Sequence, residues 1–240
     1  MATFVLVHGA FAGGWCWEQL VPLLEAEGHT VDALDLPGHG NDPAPISEMT
    51  LENNARWVAD RVEAAAEPVV LVGHSMGGMS ITQAAELVPD RIAKLVYVAA
   101  FLPADGMTLP QLAAMEPNVD GVQANIVLDE EHGTCTIAAH ALREVVFGEC
   151  SDEAFAFASA RWEPEALGAV GAPVQLTDAR AGSVPRIYIE CTLDGAIGIE
   201  KQRVMQALRP CEQVFTLETD HSPFLSTPRE LADCLLTIAS

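Results

Sequence analysis

PVVLVGHSMGGM, residues 68–79, is the stretch whose reading decides the fold. Its first six residues (68–73) hold the aliphatic, largely β-branched run Val69-Val70-Leu71-Val72, the pattern of a strand covered on both faces. Residues 76–88 read as a helix. Between them Gly73, Ser75 and Gly77 alternate with His74 and Met76, so strand becomes helix within a few residues. A turn that tight holds the serine in a strained backbone conformation, and side chains at the flanking positions would collide with neighbouring elements. The serine oxygen is lifted clear of the sheet to a helix N-terminus, where developing negative charge is favoured. Ser75 is therefore the candidate nucleophile. The plain alternative is a tight turn without chemistry, and the strand–turn–helix context weighs against it.

Outward from this turn, short apolar runs alternate with helical stretches, as in βαβ units around a parallel sheet. Strands are predicted at 3–7, 30–35, 68–73, 93–99, 186–190 and 213–217. Helices are predicted at 17–27, 51–66, 76–88, 197–208 and 228–239, and Thr50 is placed to cap the second. Between about 103 and 183 the rhythm fails, and helical patches at 136–147 and 152–160 dominate. The expected organisation is a core of 1–103 and 184–240 carrying a helical cap insertion, 104–183, over the sheet's C-terminal edge. Ligands bind at that edge in α/β folds. The chain of 240 residues fits one domain.

The charge is one-sided: 34 acidic against 12 basic residues, a formal net charge of -22. Such a field repels nucleic acid and anionic membrane surfaces, so neither is expected as a partner. Solubility is the simpler reading of the acidity. Met1-Ala2-Thr3 runs straight into Phe4-Val5-Leu6-Val7 without a basic leader, and that apolar run is too short for export or a membrane span. A soluble, cytoplasmic protein is expected, with a homodimer left open as its assembly. Six cysteines, scattered without CxxC spacing, read as ordinary thiols and not as a metal cluster or disulfide framework.

A serine hydroxyl is a poor nucleophile until a base takes its proton. Seven histidines compete. His8 and His74 adjoin glycines and suit local packing; His29 and His39 lie in turns; His132 and His140 belong to the insertion. His221 alone lies between the last strand and the last helix, in a loop over the sheet's C-terminal edge. An elbow in this setting marks the α/β-hydrolase fold, whose triads run serine, acid, histidine in chain order. Asp194, just past the strand 186–190, is the acid expected. Asp220 ranks second because adjacent side chains rarely face each other, and Asp178, in the insertion, ranks third. The loop His8–Gly14 after the first strand supplies one backbone donor to an oxyanion hole, and the amide of Met76 the other. Gly13-Gly14 lacks both the spacing and the lysine of a phosphate-binding loop.

FVLVHGAFAGGWCW, PLLEAEGHTVDALDLPGHG, VLVGHSMGGM, VYVAAFLP, ECSDEAFAFASARWEPEAL, RIYIECTLDGAI and ETDHSPF together resemble one branch of this fold, the plant methylesterases and the related hydroxynitrile lyases. The resemblance spans nearly the whole chain, with gaps mostly inside 105–145. It implies a triad of Ser75, Asp194 and His221, an oxyanion hole of the Ala10 and Met76 amides, and no metal or cofactor. Two departures separate the branches. The lyases carry threonine at the position of Gly9 and lysine at that of Ser222, and serine offers no positive charge to a cyanide leaving group. LDLPGHG looks more like general bacterial hydrolases than the plant enzymes.

The activity expected is serine carboxylesterase chemistry on a small, largely apolar or aromatic ester. Phe11, Phe147 and Trp162 are the expected pocket walls, with Phe155, Phe157, Trp15 and Trp17 as further aromatics that pack equally well in a core. Epoxide hydrolases and haloalkane dehalogenases of this fold use an aspartate at the elbow, so Ser75 counts against both. Lyase, lactonase or cofactor-free haloperoxidase activity on the same triad, or a receptor-like binding role, are the alternatives.

Overall fold

The computed structural model describes residues 1–115 and 121–240. In chain order it opens with β1 (Thr3–Val7), a 3-10 turn (Gly14–Trp17), α1 (Val21–Ala26), β2 (Thr30–Leu34), α2 (Leu51–Ala64), β3 (Val69–His74), α3 (Gly77–Leu87) and β4 (Ile92–Val98). An insertion follows, with α4 (Leu109–Ala113), α5 (Val122–Asn125), β5 (Ile126–Asp129), β6 (Thr134–Ile137), α6 (Ala139–Val146), α7 (Asp152–Ser159), β7 (Glu165–Ala166) and α8 (Leu167–Gly171). The chain closes with β8 (Arg186–Cys191), α9 (Ile199–Leu208), β9 (Gln213–Leu217), α10 (Pro223–Ser226) and α11 (Pro228–Ala239).

Six strands pair in the order β2-β1-β3-β4-β8-β9, and every pair is parallel. Successive side chains point to opposite faces of a strand. Accordingly Phe4, Leu6, Val70, Val72, Val96 and Val98 pack with Trp17, Leu24 and Leu235 in one core layer. Val5, Val7, Leu71, Leu95 and Tyr97 pack with Val58, Ile81 and Met205 in the other. Burial on both faces is why the inner strands β1, β3, β4 and β8 read as nearly continuous apolar runs, while the edge strands β2 and β9 are more exposed and more polar. Each fully buried aliphatic side chain contributes about 1.5–3 kcal/mol. α2 illustrates the matching helix logic: Leu51, Ala55, Val58, Ala59 and Val62 form its buried stripe, and the Thr50 side chain accepts from the Asn53 N–H at 3.1 Å.

Two expectations need correction. The first helix does not start at 17. Pro22 lacks an N–H and sits in the first turn of a helix that begins at Val21, while 14–17 forms a separate 3-10 turn. The insertion is also not purely helical, since β5, β6 and β7 make a three-stranded antiparallel sheet. Gly133, at φ +69, lets the chain reverse between β5 and β6, pairing Asp129 with Thr134 and Ile126 with Ile137. The expected helix 136–147 is thus β6 at its start and α6 thereafter. Among the described residues no helix is long and apolar enough to cross a membrane.

The chain runs from β1 outward to β2 and then returns to β1's other side as β3. Loops leaving the carboxyl ends of β1 and β3 therefore diverge at a switch point, where such sheets open a crevice.

Candidate active site

Ser75 sits at φ +52, in the left-handed region that non-glycine residues rarely occupy. The cost is about 1–3 kcal/mol, so the surroundings must impose it. They do so by close packing. A Cβ on Gly77 would lie 2.5 Å from the His8 carbonyl oxygen, and one on Gly78 2.1 Å from that of Phe101. The Ser75 carbonyl accepts from the Gly78 and Phe101 N–H groups at 3.1 and 3.0 Å.

Register brings the neighbouring loop alongside. Val7 pairs with Gly73, so His8-Gly9 lies beside His74-Ser75. A Cβ on Gly9 would stand 2.8 Å from the Ser75 Cβ, so only glycine permits this approach. His8 holds the loop. Its Nε2 accepts from the Leu36 N–H at 3.1 Å, which leaves the proton on Nδ1 to donate to the Gly9 carbonyl at 2.7 Å. That carbonyl and the Ala10 N–H belong to one peptide unit, so the bond also aims the N–H. Burial, with His39 beside it, pushes the His8 imidazole down to about 3, so the ring stays neutral. The N–H groups of Ala10 and Met76 have no hydrogen-bond partner among the described residues, and both residues line the cavity that Ser75 faces.

On the far side of the sheet, Cys191 pairs with Leu217, and the pairing continues past the strands: Thr192 donates to the Leu217 carbonyl and Leu193 to that of Thr219. This zipper sets Asp194 against His221, with 2.8 Å between Asp194 Oδ2 and His221 Nδ1. The carboxylate is buried and cannot swing. Its Oδ1 accepts from the Ala196 and Ile197 N–H groups at 2.7 and 2.8 Å, and Oδ2 also accepts from Gln202 Nε2 at 3.3 Å. Asp220 is committed elsewhere. It accepts from the Ser222 and Glu149 N–H groups and from Ser226 Oγ, which ties the histidine loop to the insertion. Asp178 lies exposed on the insertion.

His221 and Ser75 line the same cavity, although no hydrogen bond joins them in this structure. His74 supports His221 from behind: its Nε2 donates to the His221 carbonyl at 2.8 Å, and the two rings are 4.6 Å apart. Burial, reinforced by His221 nearby, holds His74 well below the usual imidazole range, so it adds no charge next to His221.

The cavity measures about 220 Å³ and its walls are almost wholly apolar. Phe11, Phe147 and Trp162 all line it. Phe11 stacks on Trp162 with centroids 5.1 Å apart, and Phe147 meets Trp162 edge-on at 5.6 Å. Trp15 lines it too, whereas Trp17 is core against Phe224. Phe155 and Phe157 lie behind the wall, against Phe147 and Trp15 respectively. Among the described residues no three His, Cys, Asp or Glu side chains are grouped to hold a metal ion.

Sequence reasoning missed Gln202, the clamp made by Asp220, and a buried pair between His39 and Glu165. Gln202 faces the site through a helical turn with nothing local to mark it, and His39 and Glu165 are 126 residues apart. The one available signal was the imidazole between two glycines in PGHG.

A model of the alpha/beta hydrolase family matches residues 4–234. The chain is 37% identical to salicylic acid-binding protein 2 of Nicotiana tabacum, over 98% of this chain and 96% of that protein. It is 36% identical to a pyrethroid hydrolase of Sphingobium wenxiniae, over 100% of this chain and 88% of the relative. Among solved structures, polyneuridine aldehyde esterase superposes with a TM-score of 0.88 at 30% identity, covering 100% of both chains.

Proposed function

Because the chain belongs to the alpha/beta hydrolase family and is a carboxylic ester hydrolase on that fold, we propose that it cleaves small, largely apolar or aromatic esters through a triad of Ser75, His221 and Asp194. The observation that carries this reading is geometric. His221 Nδ1 is engaged by a fixed carboxylate at 2.8 Å, while its ring shares an apolar cavity with a strained serine and two unpartnered backbone donors.

Since Asp194 Oδ2 can only accept, His221 Nδ1 carries a proton and Nε2 presents a lone pair. Ser75 Oγ attacks the ester carbonyl as Nε2 takes its proton, and the carbonyl becomes a tetrahedral oxyanion. The Ala10 and Met76 N–H groups, already unpartnered, stabilise that charge; each such donor is worth about 3 kcal/mol in acyl-transfer enzymes. Asp194 stabilises the imidazolium and keeps its orientation. The imidazolium then protonates the leaving alcohol, and an acyl-serine remains. Water, deprotonated by Nε2, attacks that ester, and collapse returns the proton to Ser75 and frees the acid.

The cavity supports an uncharged, apolar substrate, since among the described residues no cationic side chain lines it to pair with an anionic group. The segment 104–183 acts as the cap, contributing Phe147 and Trp162 to the wall. Cyanohydrin cleavage is disfavoured on two counts. Ser222 lines the cavity but its hydroxyl donates to the Val146 carbonyl, and Gly9 has no room for a side chain.

The test is hydrolysis of a panel of p-nitrophenyl and methyl aryl esters by the wild type and by Ser75→Ala. Turnover that the substitution removes supports the reading, and acyl-length preference sizes the pocket. A folded wild type that turns over no ester defeats it.

A further inference from the structure

A second buried histidine–carboxylate pair lies outside the cavity, between His39 in the loop after β2 and Glu165 in β7. His39 Nε2 and Glu165 Oε2 are 3.0 Å apart, and both side chains are 0% exposed. Neither lines the cavity. Burying two ions costs several kcal/mol each before their attraction returns any of it, and apolar residues of similar volume often serve stability as well or better. What the pair touches gives it a purpose. Glu165 Oε2 also accepts from the Phe11 N–H at 3.4 Å, and Oε1 accepts from the Ala166 N–H at 3.1 Å, so both oxygens are engaged. The Phe11 carbonyl accepts from the Glu163 N–H at 3.0 Å. Both polar groups of the Phe11 backbone are thus held by 163–165, and Phe11 stands at φ +66, a conformation its surroundings must enforce.

We propose that Glu165 and His39 are a positioning pair for the oxyanion loop, holding the Ala10–Phe11 backbone in its left-handed turn so that the Ala10 N–H stays aimed at the reacting carbonyl. The proposal rests on the ester-hydrolase reading above. The pair reaches the critical peptide from both ends. Glu165 binds Phe11 on one side. On the other, the His39 ring lies 5.0 Å from that of His8, whose neutral form holds the Gly9 carbonyl. His39 Nδ1 faces the Pro37 carbonyl at 3.2 Å, so both ring nitrogens face acceptors and the imidazolium suits the site. Burial alone would lower its proton affinity, but the Glu165 bond and charge outweigh it, with a smaller contribution from Glu163. A charged His39 in turn helps to keep His8 neutral. The insertion therefore does more than roof the cavity: it sets the geometry of a donor in the core.

The test compares wild type, Glu165→Gln, His39→Gln, the double variant and Glu165→Asp. In Glu165→Gln, kcat is expected to fall about 10- to 100-fold with KM within about threefold, because the oxyanion donor acts mainly on the transition state. Affinity for a trifluoromethyl ketone, which forms a tetrahedral adduct with the serine, falls in parallel. The double variant is no worse than the poorer single one, since the two act as a unit, and Glu165→Asp, which keeps the charge, recovers part of kcat. A lower melting temperature with kcat and ketone affinity of the folded protein unchanged overturns the proposal. Amide hydrogen exchange over 9–12 decides it without turnover. Exchange at least about tenfold faster in Glu165→Gln, with β3 unchanged, supports positioning, and unchanged exchange overturns it. Absence of Ser75-dependent turnover in the wild type defeats the esterase reading alone, because the exchange measurement still reports on the loop.

Discussion

Two buried histidine–carboxylate pairs stand in this molecule at nearly the same separation, 2.8 Å for Asp194–His221 and 3.0 Å for Glu165–His39. Their second ring nitrogens differ. His39 spends its other nitrogen on the Pro37 carbonyl and is sealed from the cavity. His221 has no partner for Nε2 among the described residues, and its ring lines the cavity with Ser75. The first arrangement stabilises a doubly protonated, immobile ring; the second leaves a ring nitrogen unpartnered at the cavity that Ser75 also lines. A carboxylate beside a histidine therefore does not define a role. The atom on the far side of the ring does.

The sharpest way to break the comparison is Asp194→Asn. The amide can donate to His221 Nδ1, which forces the proton onto Nε2 and removes the base. A fall in kcat of about 10³- to 10⁴-fold is expected, read by steady-state kinetics on an aryl ester. A loss under tenfold would mean that the carboxylate does not govern the tautomer. The second pair answers with the smaller, kcat-selective loss given above for Glu165→Gln. Trp162→Ala comes next, because the ring packs on both Phe11 and Phe147. Removing about 1.5–3 kcal/mol of apolar contact should raise KM for an aromatic ester by about 10- to 100-fold, with kcat less affected.

Around the two pairs, buried histidines respond to pH with opposite signs. His8 and His74 are held neutral, so between about pH 6.5 and their lowered folded values the unfolded chain binds protons that the folded one refuses. Stability therefore falls as pH drops below about 6.5. His39 has the opposite sign. Its raised value contributes stability that is fully present below about 6.5 and is lost as pH rises through the folded value. Melting temperature plotted against pH should peak between these limbs, and His39→Gln should flatten the alkaline limb most, with a smaller softening of the acid limb because His39 contributes to the lowering of His8. The smallest effect belongs to a third pair, His132–Asp129, whose side chains are 67% and 50% exposed. Asp129→Asn should leave melting temperature and turnover unchanged, because solvent screens an exposed pair.

Much of the site was legible because its information is consecutive. Strand, glycines, serine and helix follow one another in 68–79, and each glycine's necessity is a local clash with backbone. Asp194 and His221 were readable from their positions after the last two strands. The register of β8 on β9 orders the same two loops in space. The insertion resisted reading for a physical reason. All four residues of β5 are exposed, so no in–out alternation marks the strand, and the β5–β6 reversal is signalled by little beyond Gly133.

From the sequence alone came the parallel α/β fold, the elbow and the choice of His221 among seven histidines, since neighbouring residues and element order carry them. Asp194 was the expected partner of that histidine, but the 2.8 Å contact between them, the choice of aromatics that wall the cavity and the reach of Glu165 to His39 across 126 residues came only from the tertiary structure. Those pairings depend on strand register and on how the insertion folds back, and no short run of residues encodes a distance between segments so far apart in the chain.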